Sequence, residues 1–383
     1  MTDPAGGPLV LFTGGGTSGH ITPALAIAEE LVARVPGVRV NFVGSAAGLE
    51  ADLVPRAGYP FHAISARPFR RRLSRALLLA VRDFFAGRRQ CLALLDRLRP
   101  AAVVATGGYV SAPLLAAARR RGVPYLIHEQ NALPGRANLV MARRAAALCL
   151  GYEAAREHFP AGVPVTVTGN PVPALYRELT REAARRRLGY RPGERIILVT
   201  GGSLGARTLN RVALDWLESA APARDVRLVL VSGRSLAAET RERAERIADP
   251  RLELHDFLYD MPWYQAAADL IVCRAGALTC AEIAALGRVA LFVPYPHATG
   301  DHQAHNARVA ATAGAAFFAR DDEASAAGLE AALESLEKPG VKAAMEACSR
   351  TLARPGARRD IVDRLLAVWK GPELSGNTRD AEH

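Results

Sequence analysis

The sequence predicts an α/β protein of two similar domains that face each other across a cleft. Three observations predict it. Short apolar runs of strand length alternate with helical patterns along the chain. Several of those runs end in glycine-rich or polar loops, the place where open α/β sheets bind ligands. One arrangement also occurs twice. Leu9-Val10-Leu11-Phe12 leads through a glycine loop into a helix over Pro23 to Leu31, and Ile196-Ile197-Leu198-Val199 leads through another into a helix from Leu209. With 383 residues, half of them hydrophobic, the chain is long enough for two cores.

Taken in order, the first strand ends in Thr13-Gly14-Gly15-Gly16-Thr17-Ser18-Gly19-His20. The glycines let backbone approach a ligand closely, and the loop opens onto a helix start with unpaired N–H groups. Gly14, Gly16 and Gly19 match GxGxxG, but a dinucleotide site also needs an acid at the end of the second strand. That strand, Val38 to Val43, ends in Gly44-Ser45, so the NAD reading is rejected. His20 sits where loop becomes helix. It is better read as a proton acceptor or a phosphate donor than as a cap.

Residues 67 to 89 form a basic amphipathic stretch with an apolar centre. It reads as a solvated helix face or as a membrane-surface patch. Arginines clustered beside phenylalanines favour the membrane, with Phe69, Arg70, Arg71, Arg72, Arg75, Leu77, Leu78, Phe84 and Phe85 in contact. Val103 to Thr106 is a strand ending in Gly107-Gly108-Tyr109-Val110-Ser111. Pro124 to Ile127 is another, ending in His128-Glu129-Gln130-Asn131. That polar cluster reads equally as a ligand site or a structural hydrogen-bond network.

Prolines and charges from Gly169 to Arg195 mark a crossover. The pattern then restarts with Ile196 to Val199 and Thr200-Gly201-Gly202-Ser203-Leu204-Gly205-Ala206. A strand at Val226 to Val231 follows, then Leu252 to Leu258. Leu270-Ile271-Val272 precedes Cys273-Arg274-Ala275-Gly276-Ala277-Leu278-Thr279-Cys280-Ala281-Glu282, read as strand, glycine turn and helix start. Glu282, in the first turns, is placed to accept hydrogen bonds from a sugar diol. A polar loop from Val293 to Gln303 suits a polyhydroxyl ligand. The 320–370 region reads as helical, and 371–383 as a polar, disordered tail.

The net charge is +11 and the pI about 9.9. This permits nucleic acid, a phosphorylated substrate or an anionic membrane surface as partner. Lysine occurs only at 338, 342 and 370, so 46 of the 49 basic residues are arginine, which points to a compositional bias. No RRM, KH, helix-turn-helix or zinc-finger pattern is present, so no nucleic-acid partner is expected. Five scattered cysteines suit a reducing cytoplasm. No signal peptide and no spanning helix are expected.

These motifs, in this order, resemble the MurG family of peptidoglycan glycosyltransferases over nearly the whole chain. The resemblance rests on residues 15–20, 107–111, 128–131, Gly169-Asn170-Pro171-Val172, 201–206, 273–279 and Asp301-His302-Gln303. It implies a glycosyltransferase-B architecture, two Rossmann-like domains with parallel sheets facing across a cleft. Residues 1–170 would bind the acceptor and the membrane, and 171–355 the UDP-sugar. A helix over 356–370 would pack back towards the first domain. The resemblance implies UDP-N-acetylglucosamine as donor and undecaprenyl-pyrophosphoryl-N-acetylmuramoyl-pentapeptide (lipid I) as acceptor, at the cytoplasmic face of the bacterial membrane. The donor would meet Thr17, Ser18, Gly19, Asn131, Ser203, Leu258, Ala277, Leu278, Thr279, Cys280, Ala281, Glu282 and Gln303. Within that set, uracil lies near Leu258, ribose at Glu282, diphosphate at Ser203 and 277–281, and sugar at Asn131 and Gln303. The acceptor pyrophosphate would meet Thr17, Ser18, Gly19, His20, Gly107, Gly108 and Tyr109.

Three positions depart from the family pattern. Ser18 replaces a glycine, Leu204 a glutamine, and Pro173 an arginine, which leaves an arginine contact to the donor open, with Arg177 as a substitute. The implied reaction is inverting transfer with His20 as catalytic base. Helix-start N–H groups and Ser203 would neutralise the leaving diphosphate. No Asp-x-Asp cluster is present, so no metal and no other cofactor is expected. The alternatives are a UDP-sugar 2-epimerase of the same architecture, against which the 67–89 patch argues, and a non-catalytic nucleotide-sugar binder at the membrane.

Overall fold

The structure is a computed structural model that describes residues 7–68, 74–219, 225–298 and 301–369. Phe69, Arg70, Arg71, Arg72 and the 371–383 tail lie outside the described residues. The chain divides into two units. One comprises residues 1–130, 134–169 and 356–383, and the other 131–133 and 170–355.

The first unit runs β1 (Leu9–Thr13), α1 (Ser18–Arg34), β2 (Arg39–Ser45), α2 (Glu50–Arg56), β3 (Phe61–Ile64), α3 (Arg75–Leu98) and β4 (Ala102–Ala105). It continues through α4 (Ser111–Arg121), β5 (Tyr125–Glu129), α5 (Arg136–Ala142), β6 (Ala147–Leu150) and β7 (Val165–Val167). Its sheet has the order β3-β2-β1-β4-β5-β6-β7, and every pairing is parallel. Parallel strands are covered on both faces, which is why β4 and, up to its terminal Thr13, β1 are apolar and fully buried.

The second unit runs α6 (Leu175–Glu178), α7 (Arg181–Leu188), β8 (Arg195–Thr200), α8 (Arg207–Glu218), β9 (Val226–Val231), α9 (Ala237–Ile247) and β10 (Leu252–His255). Then come α10 (Met261–Ala267), β11 (Leu270–Cys273), α11 (Ala277–Leu286), β12 (Ala290–Phe292), α12 (His302–Thr312), β13 (Ala316–Phe318), α13 (Ala326–Glu337) and α14 (Val341–Thr351). The sheet order is β10-β9-β8-β11-β12-β13, again all parallel. In each sheet the strand order reverses beside the unit's first strand, between β1 and β4 and between β8 and β11. Such a switch point leaves a crevice at the carboxyl ends of the strands.

The last helix, α15 (Ala357–Val368), belongs to the first unit. Its Ile361, Val362 and Leu365 join the cluster of Ile21, Ala24, Ile27 and Leu31 from α1. Burying three such side chains stabilises by roughly 1.5–3 kcal/mol each. Arg358–Glu29 at 2.8 Å and Arg34–Asp363 at 2.7 Å flank the contact.

Candidate functional site

In the first unit the β1 and β4 loops leave the switch point side by side, because Thr13 pairs with Ala105. Their close approach demands glycine. A Cβ on Gly108 would lie 2.2 Å from the Gly15 carbonyl oxygen, and Gly108 has φ +83°. Thr17 caps α1 without a side-chain hydrogen bond; the His20 N–H donates to the Thr17 carbonyl at 3.1 Å, and the Ser18 and Gly19 N–H groups keep their capacity for an anion. Gly16, Thr17 and Ser18 are exposed.

His20 stands in the first turn of α1, partly buried. Its Nδ1 lies 3.0 Å from the Thr106 carbonyl oxygen and 3.2 Å from Gln130 Oε1. The Thr106 hydroxyl donates to the His20 carbonyl at 2.6 Å. Gln130 Nε2 donates to the His128 carbonyl at 3.0 Å and lies 3.0 Å from His128 Nδ1. His128 is fully buried, and its Nε2 is 3.1 Å from the Gly169 carbonyl. Burial pushes its pKa down to about 4, so it is neutral at pH 7. Glu129, also buried, accepts from Gly135 N–H at 2.9 Å and Asn138 Nδ2 at 2.8 Å, which ties the start of α5 to the end of β5. Of the cluster open to two readings, His128 and Glu129 are held in these internal hydrogen bonds, and Gln130 reaches the candidate base.

Glu50, only 1% exposed, was not singled out in the sequence. Its carboxylate accepts from Gly16 N–H at 3.1 Å and Ser45 N–H at 3.0 Å, so it pins the glycine loop from beneath. Gly15, Gly44 and Gly48 make room for it; a Cβ on any of them would clash with that side chain. Tyr109 packs against Gly16, where a Cβ would come within 2.8 Å of its ring.

In the second unit Thr200 pairs with Cys273, so the β8 and β11 loops are likewise neighbours. The β8 loop folds into a tight turn, with Gly205 N–H donating to the Gly202 carbonyl at 3.0 Å. A Cβ on Gly205, at φ +85°, would strike the Ser232 carbonyl oxygen at 2.1 Å. Ser203 sits in this turn, partly buried, and Leu204 is 68% exposed. Arg234, unremarked in the sequence, donates its N–H to the Ser203 carbonyl at 3.4 Å. Its guanidinium lies 4.4 Å from the Phe257 ring centroid and bonds the Tyr259 hydroxyl at 2.9 Å, which sets a cation beside the turn.

Gly276 caps α11 without a side-chain bond, leaving the N–H groups of Ala277, Leu278 and Thr279 at a positive dipole end. Glu282 is on the second turn, not the first, and no acid occupies the first turn. Gln265 Nε2 approaches its carboxylate at 3.5 Å, and Tyr176 donates to Gln265 Oε1 at 2.8 Å. Burial raises the Glu282 pKa to about 7, against the lowering effect of Gln265 and Tyr176. Tyr176 and Gln265 come from α6 and α10, and nothing in the local sequence marks them as partners. Leu258 and Cys280 pack on one apolar cluster at this end of the sheet.

Gln303 is in the first turn of α12, its Oε1 accepting from Tyr295 N–H at 3.0 Å. Arg274 reaches from the end of β11 to the carbonyls of Val293 at 3.0 Å and Pro294 at 2.9 Å. It also pairs with Asp321, so its place in the motif is to hold the chain at Val293 and Pro294. A cavity of about 440 Å³ is lined by Pro294, Pro296, Asp301, Asp321 and Asp322 among others. Arg320 lines it too, and Asp321 and Asp322 are paired with Arg274 and Arg320. Asn131 groups with the second unit and is partly buried. Pro173 offers no cation, and Arg177 Nη1 lies 3.5 Å from the Pro355 carbonyl.

On α3, Ser74 caps the helix by accepting from Leu77 N–H at 3.3 Å. Leu78 and Phe85 are 70% and 58% exposed, and Val81, not singled out in the sequence, is 39% exposed. Arg75 is exposed too, whereas Leu77 and Phe84 are partly buried. Asp83 binds Arg67 at 2.5 Å and Arg82 at 3.0 Å, so part of the basic stretch is neutralised internally. Among the described residues no helix is long and apolar enough to cross a membrane.

Family models agree with both units. The glycosyltransferase family 28 N-terminal domain matches residues 10–149 and the glycosyltransferase family 28 C-terminal domain residues 196–362. A curated relative from Desulforudis audaxviator is 41% identical over 362 residues, 92% of this chain and 96% of its own. One from Chlorobium phaeobacteroides is 39% identical over 366 residues, 94% of this chain and 99% of its own. Both are named UDP-N-acetylglucosamine--N-acetylmuramyl-(pentapeptide) pyrophosphoryl-undecaprenol N-acetylglucosamine transferase. The crystal structure of Acinetobacter baumannii MurG superposes with a TM-score of 0.68 at 30% identity, covering 94% of this chain and all of that one. A UDP-GlcNAc 2-epimerase from Neisseria meningitidis reaches 0.66 at 14% identity, covering 94% of this chain and 99% of that one, a likeness of fold alone.

Proposed function

Because the chain belongs to the MurG branch of glycosyltransferase family 28, with its glycosyltransferase-B fold, we propose the following activity. The protein transfers N-acetylglucosamine from UDP-N-acetylglucosamine to the 4-hydroxyl of lipid I, making lipid II for the cell wall. The observation that carries it is 41% identity over 92% of the chain with a transferase of that name. The epimerase alternative has only the shared fold on its side.

The chemistry follows from the two switch-point loops. The acceptor hydroxyl oxygen forms a bond to the anomeric carbon as the bond from that carbon to the UDP oxygen breaks. The hydroxyl proton passes to His20, and the electron pair leaves on the diphosphate. The N–H groups of Ala277, Leu278 and Thr279 and the Ser203 hydroxyl meet that charge. Arg234 supplies the cation that Pro173 lacks. Glu282 accepts from the ribose hydroxyls, Leu258 lies along the uracil, and Asn131 and Gln303 meet the sugar. Thr17 to His20 and Gly107 to Tyr109 take the acceptor pyrophosphate, for which the uncapped α1 start speaks.

The enzyme works as a peripheral protein at the cytoplasmic face of the membrane, with Leu78, Val81 and Phe85 towards the acyl boundary and Arg75 towards lipid phosphates. His20→Ala kinetics with a soluble lipid I analogue test the site. Loss of a base lowers kcat by roughly 10²–10⁴-fold with donor binding intact. Loss of a phosphate ligand raises the acceptor KM instead. A folded, full-rate His20→Ala enzyme would remove the base assignment.

A further inference from the structure

We propose that Gln130 and His128 are positioning residues that, with the Thr106 carbonyl, hold His20 in the tautomer protonated on Nδ1 and bare on Nε2. The proposal rests on His20 being the base of the transfer reaction. Two groups face Nδ1. The Thr106 carbonyl, at 3.0 Å, can only accept. Gln130 Oε1, at 3.2 Å, faces it as well.

The amide could in principle turn over and present Nε2 to the histidine. It is prevented by its other end. Gln130 Nε2 is 3.0 Å from the His128 carbonyl, which also can only accept. Turning the amide would set Oε1 against that carbonyl inside a buried site, with both oxygens unsatisfied. Gln130 Nε2 also lies 3.0 Å from His128 Nδ1, which must therefore be the bare nitrogen of that ring. His128 complies because its Nε2 proton is taken by the Gly169 carbonyl at 3.1 Å. The chain of bonds thus has one sense throughout: Gly169 C=O, His128, Gln130, His20. The two imidazoles sit in opposite tautomers.

The His20 backbone is held too, by the Thr106 hydroxyl at 2.6 Å from its carbonyl. Its ring packs over Gly107, where a Cβ would come within 3.2 Å of Cε1 and Nδ1. Nε2 has no hydrogen-bond partner among the described residues, which leaves it able to take a proton.

The charged groups near this chain are engaged elsewhere. Glu129 accepts from Gly135 N–H and Asn138 Nδ2, and Glu50 from Gly16 and Ser45 N–H. His20 is therefore oriented by a neutral amide and a carbonyl, not by a carboxylate.

Nitrogen-15 NMR of histidine-labelled full-length protein tests this on the wild type. His20 and His128 signals are assigned with His20→Gln and His128→Asn. The expected result is a bare Nε2 on neutral His20 and a bare Nδ1 on His128. A protonated Nε2 on neutral His20 overturns the proposal. Kinetics give a second readout. Gln130→Met should lower kcat roughly tenfold while donor KM stays constant, and unchanged kcat counts against the relay. Gln130→Glu, which sets a carboxylate beside the ring, should move the acidic limb of the kcat profile to higher pH by about one unit. An unmoved limb would mean that the side chain at 130 does not face the His20 ring. If these variants do not fold, the wild-type tautomers decide alone. The expected tautomers without any lipid product would leave this arrangement standing and remove the transferase reading. Turnover with the opposite tautomer would do the reverse.

Discussion

Replacing Glu282 with glutamine should stabilise the protein at alkaline pH and remove a pH dependence from donor binding. The carboxyl pKa is raised to about 7 from 4.5, chiefly by burial. Below pH 4.5 both folded and unfolded states hold the proton, and its contribution to stability is fully present. As pH rises from 4.5 to 7 the unfolded chain releases the proton first, and stability falls; above 7 the loss is complete. A gap of 2.5 units sets an upper limit of about 3 kcal/mol. Glu282 is only partly buried, so water reduces this to about 1–2 kcal/mol. Denaturant melts of wild type and Glu282→Gln at pH 4.5 and 8 should show the variant gaining by that amount. Binding responds in the opposite sense. Ribose hydroxyls donate to the carboxylate, and a group with this pKa goes from about one tenth to about nine tenths ionised between pH 6 and 8. UDP-N-acetylglucosamine affinity of the wild type should therefore rise about tenfold over that range, and that of Glu282→Gln should stay flat. Equal pH profiles in calorimetry for the two proteins would refute the assignment of Glu282 to the ribose.

Gly108→Ala should destabilise by about 2–4 kcal/mol, because its Cβ would meet the Gly15 carbonyl at a left-handed φ; a denaturant midpoint close to wild type would contradict the packing of the two loops. Glu50→Ala should cost about 2–4 kcal/mol by leaving the Gly16 and Ser45 N–H groups without an acceptor, and Glu50→Gln should recover most of it in the same melts. Leu78→Glu with Phe85→Glu should weaken binding to anionic vesicles at least tenfold while turnover of a soluble acceptor is kept. Vesicle sedimentation unchanged in that double variant would mean that α3 merely presents a solvated face.

Much of the fold was legible because parallel strands buried on both faces read as apolar runs, as at Leu9–Thr13 and Leu270–Cys273. The glycine turns were legible because close backbone approach leaves few other choices. The adjacency of those turns was not. It depends on the order of strands in the sheet, and the pairing of Thr13 with Ala105 spans most of a domain. Partners brought by distant elements escaped for the same reason. Gln130 reaches His20 across 110 positions, and Gln265 with Tyr176 closes on Glu282 from two other helices. Glu50 looked like any acid at a helix start, since its burial follows from the glycines around it. On α3, composition suggested a continuous patch. The helix phase instead selects Leu78, Val81 and Phe85 for exposure, and the ion pairs at Asp83 absorb two of the arginines.

The transfer itself is tested most directly by mass spectrometry of the lipid after incubation of the purified protein with UDP-N-acetylglucosamine and lipid I. The account predicts that each acceptor gains one N-acetylglucosamine, with UDP released one for one. Conversion of the donor to its 2-epimer, or UDP released while the lipid mass stays unchanged, would contradict it.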